Sequence, residues 1–147
     1  MEEILKELIS NYQLSHSLPR QFYTSEALYK MDIEHYWNHS WIWVGHINQI
    51  PNVGDFFLFD YGYESVIVAR DKNKDVNALL NVCRHRGSRV CLEKSGNTRV
   101  FACPYHAWTY ELNGNLRGAR EMGDSFDKAE HSLKKVNLRI FHGLIFV

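Results

Sequence analysis

The sequence predicts a mainly β fold, an antiparallel β-sandwich or barrel, preceded by N-terminal helices. Three observations predict it. From Trp41 onward apolar residues alternate with a period of two, in short runs rich in aromatic and β-branched side chains. Turn-forming residues separate those runs at short intervals, the pattern of a sandwich or barrel. Before residue 41 the apolar spacing is helical instead. A length of 147 residues suits one domain with a small appendage. The expected division is therefore a helical segment over 1–40 and a β domain over 41–147.

Met1 to about Ser10 places Ile4, Leu5, Leu8 and Ile9 on one face, which predicts a short amphipathic helix. A second helix is predicted from Thr24, because Thr24 and Ser25 are good N-cap types and Glu26 suits a first helical turn. Leu28, Met31, Ile33, Tyr36 and Trp37 give it a broad apolar face, and Pro19 fits the irregular approach. Strands are predicted at Trp41 to Ile47, Phe56 to Phe59, Ser65 to Ala69, Asn77 to Val82, Arg99 to Ala102, Thr109 to Leu112, Val136 to Phe141 and Leu144 to Val147. The turns between them fall at 51–55, 71–75, 95–97 and 113–115, where Gly and Asn supply positive φ. Gly118 to Leu133 is polar, contains Gly123 and Asp124, and reads as a surface excursion.

Composition excludes several classes. Hydrophobic residues make up 45% and charged residues 23%, so disordered and fibrous readings fall away. The 17 basic residues balance 17 acidic ones without a polybasic arm, which argues against nucleic acid as a partner. The apolar run Gly143 to Val147 is far below the roughly 20 residues that span a bilayer. The start, Met1-Glu2-Glu3-Ile4, lacks the basic and apolar regions of a secretory signal, so a cytoplasmic location is expected. There the three cysteines would stay reduced, as ligands, nucleophiles or buried thiols.

Two segments concentrate metal-ligand types: Cys83-Arg84-His85-Arg86-Gly87 and Cys103-Pro104-Tyr105-His106-Ala107-Trp108. Each follows a predicted strand and offers one thiol and one imidazole. Four such ligands could close a tetrahedral zinc site. They could equally hold a Rieske [2Fe–2S] cluster, in which two histidines replace two cysteines on one iron. The segmentation favours the cluster, since zinc-finger spacing groups Cys with Cys and His with His.

These two motifs resemble those of the Rieske non-haem iron oxygenases, specifically the N-terminal Rieske domain of their α subunits. The similarity runs from about Leu18 to Val147 and is supported by Leu18 to Tyr23, Trp41 to His46, Gly54-Asp55 and Trp108 to Tyr110. The resemblance implies a β fold with a small cluster-binding subdomain. It implies one [2Fe–2S] cluster, with Cys83 and Cys103 on one iron and His85 and His106 on the other. It further implies a reductase or ferredoxin as electron donor, a homo-oligomer (a trimer), and a mononuclear non-haem iron in a catalytic domain absent from these 147 residues. No catalytic residue is therefore expected in this chain. Asn81 to Arg89 and Leu116 to Arg120 look most like the branch acting on quaternary ammonium compounds. Respiratory Rieske proteins add a disulfide between the loops and a serine hydroxyl on a cluster sulfur; Ser88, Tyr105 and Trp108 stand at those positions, so a midpoint low in the Rieske range is expected.

The remaining candidates have plainer readings. Cys91 reads as a buried free thiol. His16, His35, His39, His46, His131 and His142 read as ordinary surface or hydrogen-bonded histidines, and Trp37, Trp41 and Trp43 as core. Trp108 reads as a shield for the centre. Arg84 and Arg86 read equally as solvated cations or as groups that tune potential or dock a partner. The function expected is electron entry for an oxygenase that adds dioxygen to an organic substrate. A free-standing Rieske ferredoxin and a structural zinc module are the alternatives.

Overall fold

The computed structural model describes residues 2–120, 122–123 and 125–147; Met1 and Asp124, both part of segments interpreted above, lie outside them. Two compact units result, Met1–Ile42 and Trp43–Val147. In the first, α1 (Glu2–Ser10) is followed by a short helix α2 (Gln21–Thr24) and by α3 (Glu26–His35). Ser25 caps α3, its hydroxyl accepting from the Leu28 N–H at 3.4 Å, so the predicted helix begins one residue after the predicted cap pair. Helix α2 was not legible, since four residues carry no periodicity.

The second unit is antiparallel throughout. It contains β1 (Trp43–His46), β2 (Asp55–Tyr61), β3 (Glu64–Arg70), β4 (Val76–Leu80), β5 (Ser95–Asn97), β6 (Phe101–Ala102), β7 (Thr109–Tyr110), β8 (Leu116–Gly118), β9 (Arg139–Phe141) and β10 (Leu144–Phe146). They form three sheets, ordered β4-β3-β2-β5, β1-β10-β9 and β6-β7-β8. The four-stranded sheet is central. Its Phe56, Ile67, Ala69 and Leu79 share a core with Phe101, Trp108, Tyr110 and both cysteines of the motifs, while Phe57, Val66, Val68 and Ala78 share another with Ile50 and Ile145. Both faces of β3 are thus covered, which is why Val66 to Ala69 is apolar at every position instead of alternating.

Two strands were not expected. Ser95-Gly96-Asn97 has turn composition, yet it pairs with Asp55 to Phe57 as an edge strand. Side-chain bonds compensate for its weak propensity: Asn97 Nδ2 donates to Asp55 Oδ1 at 2.7 Å and to the Val53 carbonyl at 3.0 Å. Leu116–Gly118 pairs with β7, closing the small sheet. In the β9–β10 hairpin, His142 (φ 48°) and Gly143 (φ 83°) occupy the two positive-φ positions of a two-residue turn, and a Cβ on Gly143 would strike the His46 ring.

The tryptophan assignment is corrected. Trp37, Trp41 and Trp43 are 42%, 52% and 61% exposed and do not fill a core. A register shift between Trp43 and Gly45 breaks the alternation along β1, so Gly45 is buried while Trp43, two residues before it and across from Phe146, is exposed. Sequence spacing identifies a shared face but not which face is covered.

Candidate metal centre

The two motifs become two loops of the same construction. In the first, Cys83 N–H donates to the Ser88 carbonyl at 2.8 Å and Gly87 N–H to the Cys83 carbonyl at 3.0 Å. In the second, Cys103 N–H donates to the Trp108 carbonyl at 2.8 Å and Ala107 N–H to the Cys103 carbonyl at 2.9 Å. Each loop therefore closes on its own cysteine, and each turns through a left-handed residue, Gly87 at φ 73° and Ala107 at φ 57°. A Cβ in that region costs roughly 1–2 kcal/mol. Ala107→Gly relieves this against a larger loss of chain entropy; a net stabilisation of up to about 1 kcal/mol is expected, measurable by urea unfolding of the two proteins.

The four candidate ligands pair by type. Cys83 and Cys103 are both buried, and the Cys83 thiol neighbours that of Cys103. Burial pushes the Cys103 thiol up in pKa and the Cys83 thiol adds to this, while backbone N–H groups of Tyr105 and His106 pull it down. His85 and His106 meet edge to face, ring centroids 4.6 Å apart. The His85 ring is half-buried, and its Nδ1 is a buried atom with no hydrogen-bond partner. Burial, and after it the proximity of His106 and Arg86, lowers the His85 pKa, so the ring is held neutral, the form that ligates a metal. Among the described residues no three His, Cys, Asp or Glu side chains converge on one point as a mononuclear site requires. Two thiols together and two imidazoles together, with an orphaned nitrogen turned inward, fit a two-iron cluster better than a tetrahedral zinc ion.

Three supporting residues were not legible as such. Tyr110, fully buried on β7, has its hydroxyl 3.0 Å from the Arg84 N–H and 3.3 Å from Cys83 Sγ. Arg84 N–H donates to the hydroxyl, and toward a metal-bound Cys83 thiolate, which carries no proton, the hydroxyl would be the donor. Burial pushes the phenol's pKa well up, so it stays a donor. Tyr110 thus places a side-chain hydroxyl on a ligand sulfur, that of Cys83, and not at the position of the respiratory proteins' serine. Because a donor to sulfur stabilises the extra negative charge of the reduced state, Tyr110→Phe is expected to lower the midpoint by about 40 mV, one hydrogen bond of about 1 kcal/mol. Redox titration of the two proteins checks it.

Asn81, 0% exposed at the end of β4, has its amide fully engaged: Nδ2 donates to Ser65 Oγ and the Cys91 carbonyl, and Oδ1 accepts from Val90 and Cys91 N–H. It ties the chain leaving the first loop to the central sheet. Trp108, 2% exposed, stacks on His85 at 4.8 Å and 11° between planes, as a shield would. Behind it His131, taken above as an ordinary histidine, packs against Trp108 and Phe126. Cys91 is a buried thiol that donates to the Glu93 carbonyl at 3.6 Å, and burial pushes its pKa up.

Residues 40–137 match the Rieske [2Fe-2S] domain. The glycine betaine monooxygenase oxygenase subunit of Chromohalobacter salexigens is 37% identical over 142 residues, 96% of this chain and 32% of that protein. The naphthalene 1,2-dioxygenase structure from Rhodococcus sp. superposes with a TM-score of 0.87 at 31% identity, over 98% of this chain and 34% of that one. A quaternary ammonium Rieske monooxygenase in complex with gamma-butyrobetaine gives a TM-score of 0.82 at 32% identity, over 96% and 41%. The chain thus spans about a third of the length of the oxygenase subunit to which it is similar. Geometry and similarity agree, and the chain belongs to the Rieske [2Fe-2S] domain family.

Proposed function

We propose that this chain is the electron-entry domain of an oxygenase, with Cys83 and Cys103 holding one iron of the cluster and His85 and His106 the other. The observation that carries it is the pairing just described, two like-built loops that set thiol beside thiol and imidazole beside imidazole, with His85 Nδ1 buried and unpartnered. When bound, the cluster supplies a one-electron carrier. The chain's own residues bury the thiols, hold His85 against Trp108 and present the imidazole edges outward. On this reading residues 41–147 are the Rieske domain and 1–40 its helical extension, and the oxygen-activating iron, held by two histidines and a carboxylate, belongs to a further domain of a longer polypeptide. The exposed face of β1, β9 and β10, carrying Trp43, Phe141 and Leu144, is of the kind such a domain covers.

The substrate we propose is a quaternary ammonium compound, oxidised by hydroxylation or demethylation; the similarity to a glycine betaine monooxygenase subunit supports it. The donor is a reductase or ferredoxin, the assembly a homotrimer, and the compartment the cytoplasm. Free buried cysteines are in keeping with that compartment, and no helix among the described residues is long and apolar enough to cross a membrane. The named relatives are oxygenases, which favours this reading over a free-standing carrier.

Anaerobic reduction followed by visible and electron paramagnetic resonance spectroscopy tests the centre. A Rieske-type signal with two irons and two sulfides per chain is expected; a silent, zinc-loaded protein overturns it. Turnover of glycine betaine by the longer polypeptide with a reductase tests the substrate class, and absence of product with every quaternary ammonium compound tried overturns that.

A further inference from the structure

We propose that His131 is a positioning residue for the centre: from outside both ligand loops it wedges the Trp108 indole against the His85 imidazole, which sets the plane of that ring and keeps water from it. The proposal rests on the ligand assignment above and names the residue that orients one of its histidines.

Ring contacts, not hydrogen bonds, orient His85. Its Nδ1 is buried without a hydrogen-bond partner, and its ring meets two others, His106 edge to face and Trp108 stacked at 4.8 Å and 11°. His106 is half-buried and touches Tyr105, which is exposed, so that contact is the looser one. Trp108 is the firm one, 2% exposed and part of the core. The indole is in turn backed by the stretch that runs from 126 to 133. Phe126 meets Trp108 edge to face at 5.4 Å and 69°, and His131 does so at 5.8 Å and 74°. Phe126 and His131 lie 4.3 Å from each other, so the three rings close a triangle.

Within that triangle His131 is the tethered ring. A carbonyl only accepts, so His131 Nδ1, 2.8 Å from the Asp127 carbonyl, carries a proton and donates it. The Asp127 carboxylate accepts from Ala129 N–H at 2.8 Å, and the His131 N–H donates to the Lys128 carbonyl at 3.2 Å. These bonds hold the single 3₁₀ turn Ala129–His131. Two residues on, Leu133 is buried in the same core as Trp108, and its N–H donates to the Gly114 carbonyl at 2.8 Å. The wedge is therefore fixed on both sides. Edge-to-face contact is a favourable aromatic geometry, and a ring already held by a hydrogen bond loses little more freedom in making it.

The shell around a metal site controls solvent access and through it the potential. Reduction adds negative charge, which water stabilises, so a loosened Trp108 should raise the midpoint. Redox titration and paramagnetic resonance of the cluster-loaded chain test this. His131→Ala removes the wedge and should favour the reduced state about threefold or more at fixed potential, a rise of about 28 mV at 59 mV per tenfold, with shifted g-values. His131→Phe keeps a ring in that place and should stay closer to wild type than to His131→Ala. His131→Asn keeps a donor without the ring and should behave as His131→Ala. Val68→Ala, in the other core, should lose stability to urea with its midpoint and g-values unmoved.

A His131→Ala midpoint at or below that of wild type overturns the proposal. So does the reverse order of the Phe and Asn variants, which would make His131 a loop tether, and so does an equal shift in Val68→Ala. Carbethoxylation of the cluster-free chain by diethyl pyrocarbonate, read by peptide mass spectrometry, needs no cluster and carries the test if His131→Ala fails to hold one. His85 should react about threefold faster or more in His131→Ala, because local opening exposes it, with the exposed His39 as reference. Unchanged His85 reactivity also overturns the wedge. A wild-type chain with no Rieske spectrum would refute the ligand assignment instead, and the labelling would still read the wedge.

Discussion

Replacing Cys83 or Cys103 with serine is expected to abolish the Rieske-type visible and paramagnetic signals and the bound iron, while Cys91→Ser retains all three. The effect is all or none because the iron demands a soft thiolate, and a serine hydroxyl neither ionises at neutral pH nor matches that softness. Cys83 and Cys103 are buried side by side, each at the closing point of its loop, so neither neighbour can substitute for a lost thiol. Cys91 is buried too, but its thiol is occupied with the Glu93 carbonyl and its backbone is held by Asn81. Its serine variant should lose about 1 kcal/mol of stability at most, an ordinary change for one buried atom. Iron analysis of the three purified variants decides the matter, and loss of iron from Cys91→Ser would mean that the assignment of ligands is wrong.

Asn81→Leu should be the most damaging substitution outside the ligands. Leucine is close to asparagine in size, so packing changes little, but the Val90 and Cys91 N–H groups and the Cys91 carbonyl would be left buried without partners. At about 1–3 kcal/mol for each orphaned group, the expected loss is roughly 3 kcal/mol or more. That is a large part of the 5–15 kcal/mol that holds a typical domain. Chemical unfolding of wild type and variant measures it, and a companion Asn81→Asp, which keeps the acceptor and loses the donor to Cys91, should fall between them. A loss under about 1 kcal/mol in Asn81→Leu would show that the segment after the first loop has another anchor.

The ligand motifs were legible because their information is local: Cys83 and His85, or Cys103 and His106, lie within one loop each, and the spacing survives whatever the rest of the chain does. Helix α3 was legible for the same reason, since its cap and first turn are adjacent residues. The edge strand Ser95–Asn97 was not, because its pairing depends on Asp55 and Val53, some forty residues away, and not on its own propensity. Trp43 was misassigned because a register shift between it and Gly45 interrupts the period of two, and no property of the local sequence announces that irregularity. Tyr110 and His131 carried no signal at all: a tyrosine in a strand and a histidine in a surface excursion acquire their meaning only from Cys83 and Trp108, brought to them by the fold.

By itself, then, the sequence determined that the chain is mainly β with a helical start, and that two Cys/His loops were available for an iron-sulfur centre. Those properties follow from periodicity and spacing along one dimension. The tertiary structure decided the rest: that thiol meets thiol and imidazole meets imidazole, that Tyr110 reaches a sulfur, that Asn81 anchors the loop, and that His131 backs Trp108. Each of these joins residues distant in sequence through sheet register and layer packing, and register is fixed by which apolar faces can be buried together.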